Sequence, residues 1–278
     1  MTADIRHIEI NGARLGYAVH SEDSGRPAAI FVAGYSGRST GEDAYPELIA
    51  ALSERFTIYG FDLRAHGASA EATDGFSMTA VADDVATFVQ ELKLDRPFYI
   101  GHSFGGFTGL YCEVRHPGTF GAICLITTAS AEGGGFTPPE ITQLMVEHGG
   151  DEGFMRTALA GMYVRGGDTT RHARTAAQMD PSIHAIYFEE YRERIIIKEV
   201  RSIRCPVLAV NGALDTVVPL ATQHATALAL PRCKEVILTN EGHMLPVESP
   251  ATVAREIFAF WDHDRHDLGA APDRTLDA

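Results

Sequence analysis

Several things are scarce in this chain, and each shortage removes a class of protein. Cysteine occurs only at Cys112, Cys124, Cys205 and Cys233, far apart and without a C-x-x-C pair. That spacing argues against a zinc site or a disulfide framework and fits reduced thiols in a cytoplasmic protein. No apolar run approaches the roughly eighteen residues of a membrane span. Met1 to Arg6 lacks the apolar stretch of a signal peptide, so a cytoplasmic location is expected. Basic residues are also short, 23 against 37 acidic ones, for a net charge of −14. Nucleic acid and anionic membrane would both repel such a chain, leaving a small molecule as the expected partner.

What is present is an ordinary globular composition, 45% hydrophobic over 278 residues, enough for one large α/β domain carrying an insertion. Ile5 to Ile10 and Arg14 to His20 alternate apolar and polar residues around Asn11-Gly12, a hairpin signature. Ala28 to Val32 is a continuous apolar run, as a parallel strand covered on both faces requires. Further strands are expected at Phe56–Phe61, Phe98–Ile100, Gly121–Ile126, Pro206–Val210 and Glu235–Leu238. Helical spacing separates them at Tyr45–Arg55, Val81–Leu92, Phe107–Val114 and Leu220–Leu230, and a closing helix spans Ala251–Trp261. The alternation predicts an α/β fold, a doubly wound and mostly parallel eight-stranded sheet with right-handed crossovers.

The alternation is interrupted once. Gly133-Gly134-Gly135 reads as a hinge, and Pro138-Pro139 opens a stretch of about four short helices. The expected layout is a core from residues 1–130 and 201–263, a helical cap over 131–200, and a disordered tail over 264–278.

The most informative stretch is Gly101-His102-Ser103-Phe104-Gly105-Gly106, between a predicted strand and a predicted helix. G-x-S-x-G at that junction is the pattern of a nucleophile elbow, which lifts a serine hydroxyl clear of the sheet at a helix N-terminus. A serine hydroxyl needs a base and an anion to orient that base. In an open α/β sheet these stand beyond the carboxyl ends of strands. Asp215 follows the strand ending at Val210, whereas the position after Ile126 offers only Thr127-Thr128-Ala129. His243 follows the last strand; His102 lies within the elbow and is expected to point into the core, and His66 reads as a turn residue. The backbone N–H groups of Tyr35 and Phe104 are the expected oxyanion donors.

These residues together resemble the α/β-hydrolase superfamily, over about residues 5–263. The matching segments are Ala33-Gly34-Tyr35, Phe61-Asp62-Leu63-Arg64-Ala65-His66-Gly67-Ala68-Ser69, the elbow, Gly212-Ala213-Leu214-Asp215-Thr216-Val217-Val218-Pro219 and Glu241-Gly242-His243. Ala33 stands where the family usually has histidine, and Ala65 where it has glycine. The pattern is most similar to the single-lid branch of carboxylesterases, lactonases, C–C bond hydrolases and cofactor-free haloperoxidase-like enzymes. The resemblance implies a hydrolase without cofactor or metal, acting as a monomer or homodimer on a small ester or lactone. A C–C hydrolase of ring-cleavage products, a perhydrolase-like enzyme and a ligand-binding receptor homologue are its alternatives. Arg38 and the cap residues Phe154, Met162, Tyr163, Tyr187 and Phe188 are candidates for contacting substrate.

Overall fold

The computed structural model of the chain describes residues 4–22, 25–40, 45–129, 139–166, 168–194 and 196–267. The Gly133–Gly135 hinge lies outside them. β1 (Ile5–Ile10) and β2 (Ala13–His20) form the expected hairpin, closed by Asn11 at φ 48° and Gly12 at φ 72°. Two consecutive positive φ values match the right-handed twist of the strands they join. β3 (Ala28–Val32), β4 (Thr57–Phe61), β5 (Phe98–His102), β6 (Ala122–Ile126), β7 (Val207–Gly212) and β8 (Cys233–Leu238) complete one eight-stranded sheet. Its order is β1-β2-β4-β3-β5-β6-β7-β8, antiparallel through β1, β2 and β4 and parallel from β4 to β8.

The period-two alternation of strands sorts their side chains onto two faces. Ile30, Val32, Tyr99, Ile123 and Leu125 join one buried cluster with Val81, Val85 and Phe88 of α2 (Met78–Glu91) and Phe107 and Leu110 of α3 (Phe104–Arg115). Phe31, Phe98, Ile100, Cys124 and Ile126 join the other, with Leu48 of α1 (Pro46–Leu52) and Val253 and Ile257 of α10 (Pro250–Ala259). Each such large side chain contributes roughly 1.5–3 kcal/mol on burial, so both faces of the sheet are anchored. Cys112, Cys124 and Cys205 are buried free thiols.

Between β6 and β7 the described residues form α4 (Pro139–His148), α5 (Glu152–Ala160), α6 (Thr170–Ala176) and α7 (Pro181–Glu193). Asp151 caps α5 by accepting from Phe154 N–H, and Asp180 caps α7 ahead of Pro181. α8 (Leu220–Ala229) and the short α9 (Leu245–Glu248) follow β7 and β8. The chain past α10 stays helical through Asp267, so helix extends beyond residue 264, where the tail was expected to begin; residues 268–278 lie outside the described ones. The guanidinium of Arg265 over the Trp261 ring, 3.6 Å from its centroid, supports that extension.

Gly105 brings two backbone segments close together. A Cβ on Gly105 would stand 2.3 Å from the Val32 carbonyl oxygen and 2.5 Å from that of Ala33, whereas one on Gly75 (φ 66°) would meet nothing within 4 Å. Gly105→Ala is expected to lower the unfolding free energy by about 3 kcal/mol, and Gly75→Ala by only about 1 kcal/mol of left-handed strain. Urea midpoints of the two variants check the contrast.

Candidate active site

Ser103 ends β5 and caps α3 at φ 50°, ψ −117°. A side-chain-bearing residue in that region stores of order 1–3 kcal/mol, and its neighbours hold it there. Ser103 N–H donates to Ile126 O at 2.9 Å, while Ser103 O accepts from Phe107 N–H and Thr128 Oγ1, each at 3.1 Å. Among the described residues Ser103 Oγ has no hydrogen bond. It is half-buried at the N-terminus of α3.

The loop after β3 lies against this serine. A Cβ on Gly34 would come within 3.0 Å of His102 Nδ1 and 3.3 Å of Ser103 Cβ. Ser36 at φ 57° and the Gly37 N–H to Gly34 O bond of 2.9 Å fix the loop's turn. Neither Tyr35 N–H nor Phe104 N–H has a partner among the described residues.

Asp215 and His243 come together as expected, with His243 Nδ1 and Asp215 Oδ2 2.9 Å apart. The Asp215 side chain is fully buried and fully engaged: Oδ1 accepts from Val217 N–H and Val218 N–H at 2.8 Å, and Oδ2 accepts from Gln223 Nε2 at 3.1 Å as well. One carboxylate oxygen thus holds the turn ahead of Pro219, and the other meets His243. No hydrogen bond joins His243 Nε2 to Ser103 Oγ; the ring of His102, next in sequence to Ser103, lies 5.0 Å from that of His243, centroid to centroid.

A network not legible from sequence steadies the histidine. His102 is buried, as expected, but its Nε2–H donates to His243 O at 3.0 Å and its Nδ1 accepts from Tyr45 O–H at 2.9 Å. Burial pushes His102 well below the ordinary imidazole pKa and Tyr45 above the ordinary phenol one, so the ring stays neutral and its tautomer is fixed. Thr127 Oγ1 donates to the same His243 carbonyl at 3.1 Å.

Of the cap candidates, Tyr187 stacks on Tyr35 at 3.6 Å and 18° and stands edge-on to Phe104 at 4.9 Å. Phe188 lies 5.5 Å from Tyr35. The Tyr35 hydroxyl also bonds His184 Nδ1 of α7. Phe154 and Met162 pack on the cap's cluster of Met145, Met155 and Leu159, as Tyr35 and Phe188 also do. That cluster is built from α4, α5 and α6, with Ala173 and Ala176 completing it.

Tyr163 and Arg38 line a separate cavity of about 260 Å³, bordered by Tyr45, His172 and Met244. Three histidines around the site, of which sequence reasoning had singled out only His66, have a buried, unpartnered ring nitrogen: His66 Nε2, His172 Nδ1 and His184 Nε2. Burial holds each at a pKa of about 4.

A parallel sheet with a strained serine after its central strand and a carboxylate–imidazole pair after its last two strands defines the α/β-hydrolase class. The alpha/beta hydrolase family profile matches residues 29–256, and the chain belongs to that family of enzymes. RutD of Caulobacter sp. (strain K31), whose name assigns it provisionally as a carbamate hydrolase, is 26% identical over 85% of this chain and 91% of its own. The 3-oxoadipate enol-lactonase 2 of Acinetobacter baylyi is 24% identical over 79% of this chain and 81% of its own. The enol-lactonase of Burkholderia xenovorans LB400 shares the fold, with a TM-score of 0.78 and 22% identity over 92% of this chain and all of that one. No helix among the described residues is long and apolar enough to cross a membrane, and none of their His, Cys, Asp and Glu side chains group to hold a metal.

His66 yields a pH prediction. Its pKa drops from 6.5 to about 4 on folding because burial disfavours the imidazolium. The unfolded chain therefore binds the proton first, and the stability present above pH 6.5 is lost as pH falls toward 4. His66→Phe, which keeps a ring between Phe76 and Phe104, is expected to flatten the fall of the urea midpoint over that window by the equivalent of roughly 1–3 kcal/mol.

Proposed function

We propose that this enzyme hydrolyses a small carboxylic ester or lactone through an acyl-enzyme on Ser103, with His243 as general base and Asp215 as the anion that orients it. The observation that carries this reading is the buried 2.9 Å Asp215–His243 bond at the rim where Ser103 stands with an unengaged hydroxyl. Because Asp215 can only accept, it holds the proton on Nδ1 and leaves the Nε2 lone pair for the serine. As Oγ attacks the substrate carbonyl, His243 takes its proton and Asp215 stabilises the imidazolium.

The unpartnered N–H groups of Tyr35 and Phe104 support their role as oxyanion donors. Each such donor is worth about 3–4 kcal/mol in the transition state. His243 then protonates the departing alkoxide, which in a lactone stays attached as the ω-hydroxyl of the acyl group. Water deprotonated by His243 attacks the acyl-enzyme and frees the acid and Ser103. The four-helix insertion acts as the lid, and its Tyr187 and Phe188, packed with Tyr35 over Phe104, form the apolar wall that excludes water from the oxyanion side. The fully paired cage around Asp215 and the bonds from His102 and Thr127 to His243 O support a preorganised base rather than one assembled on binding. Names of relatives that act on an enol-lactone favour the ester and lactone class.

Ser103→Ala is expected to lower turnover of short-chain esters and lactones by about 10³- to 10⁶-fold with the thermal midpoint preserved. Asp215→Asn, which presents the wrong tautomer to His243, is expected to cost about 10⁴-fold. Steady-state kinetics over a panel of both substrate types measures these losses, and wild-type turnover by Ser103→Ala would overturn the assignment.

A further inference from the structure

Arg38 stands in the wall of the cavity between loop and cap. Arg38 is held by its Nε, which donates to Thr40 Oγ1 at 3.0 Å and lies 4.0 Å from Asp62 Oδ2. Asp62 is itself saturated by Ser39 N–H, Thr40 Oγ1–H and Ala68 N–H. Gly67 leaves room for the arginine stem, since a Cβ there would come within 2.9 Å of Arg38 Cγ. The guanidinium is thus anchored through one nitrogen, and its two terminal nitrogens have no partner among the described residues. The side chain is 24% exposed.

Across the cavity stands His172 of α6, whose Nδ1 is buried and unpartnered. Burial above all, and then the neighbouring His243, lower its pKa to about 4. A neutral imidazole can still donate one hydrogen bond. Tyr163 adds a phenol to the same wall. Glu47, Asp168 and Arg171 border the cavity only at its exposed rim, where water screens them. Met244, next to His243, closes the inner end.

We propose that this cavity is a carboxylate subsite, in which the open fork of Arg38 and the Nδ1–H of His172 hold a free acid carried by the substrate. A planar guanidinium offering two parallel N–H groups matches a carboxylate. A cavity at the small end of ligand sites suits a short arm. Resting on the hydrolase reading above, this narrows the substrate to an ester or lactone that bears a second, ionised carboxyl group. The serine, the base and the acid-binding fork then engage three different parts of one molecule.

Calorimetric titration with glutarate and with its uncharged diamide, glutaramide, tests the subsite. It is run on the wild type, Ser103→Ala, Arg38→Gln and His172→Ala. Glutarate is expected to bind wild type and Ser103→Ala equally, at least about tenfold more tightly than glutaramide, and more weakly as salt is raised. Arg38→Gln is expected to erase the preference for the dianion, and His172→Ala to reduce it. Equal affinity for the two probes in the wild type, no glutarate binding, or an unchanged preference in Arg38→Gln would each overturn the proposal. If Arg38→Gln fails to fold, the wild-type comparison and His172→Ala decide the matter. Binding to Ser103→Ala does not depend on turnover, so failure of the subsite and failure of the hydrolase assignment are separately visible.

Discussion

The close approach of the end of β3 to the start of α3 is the constraint on which the site depends. Gly105 meets the carbonyls of Val32 and Ala33, Gly106 meets Thr128, and a Cβ on Gly101 would stand 2.5 Å from Gly106 Cα. Only because these three positions lack side chains can the chain reverse within one residue and force Ser103 to a positive φ. The same closeness brings the loop of Gly34 and Tyr35 alongside, so nucleophile and candidate oxyanion donors are set by one packing arrangement. Backbone strain at the serine is offset by three hydrogen bonds and by two apolar clusters that fix the flanking strands.

Around that turn the polar groups are arranged so that few of them need carry charge. His66, His102, His172 and His184 are all held neutral by burial, and Tyr35 and Tyr45 stay protonated for the same reason. Asp215 is a buried carboxylate with four hydrogen-bond partners, the condition under which burial of an anion is tolerated. A neutral His102 between Tyr45 and the His243 carbonyl locks the backbone of His243. Acid would undo this arrangement stepwise, since each buried imidazole must be charged at a cost the unfolded chain does not incur.

Much of the scaffold was legible because its signals are local. Ala28–Val32 and the Asn11-Gly12 hairpin announce themselves within a few residues, and so does the elbow at Gly101–Gly106. Asp215 and His243 could be chosen because each follows a readable strand. Contacts between distant segments were not legible: Tyr35 stacking on Tyr187, Tyr45 bonding His102, and Arg165 of the cap pairing with Glu241 beside His243. Nothing in the local pattern separates an aromatic that faces the site, such as Tyr187, from one that serves the cap's own interior, such as Phe154. The histidines with an unpartnered nitrogen carried no sequence signal, because their character comes from burial.

The proposed convergence of one hydroxyl, one imidazole and one carboxylate would give these features a common purpose. Treatment with a fluorophosphonate probe, followed by peptide mass spectrometry, tests that convergence most directly. A single adduct on Oγ of Ser103, lost when His243 is replaced by alanine, is the predicted result. An unlabelled protein, or label residing on another serine, would contradict it.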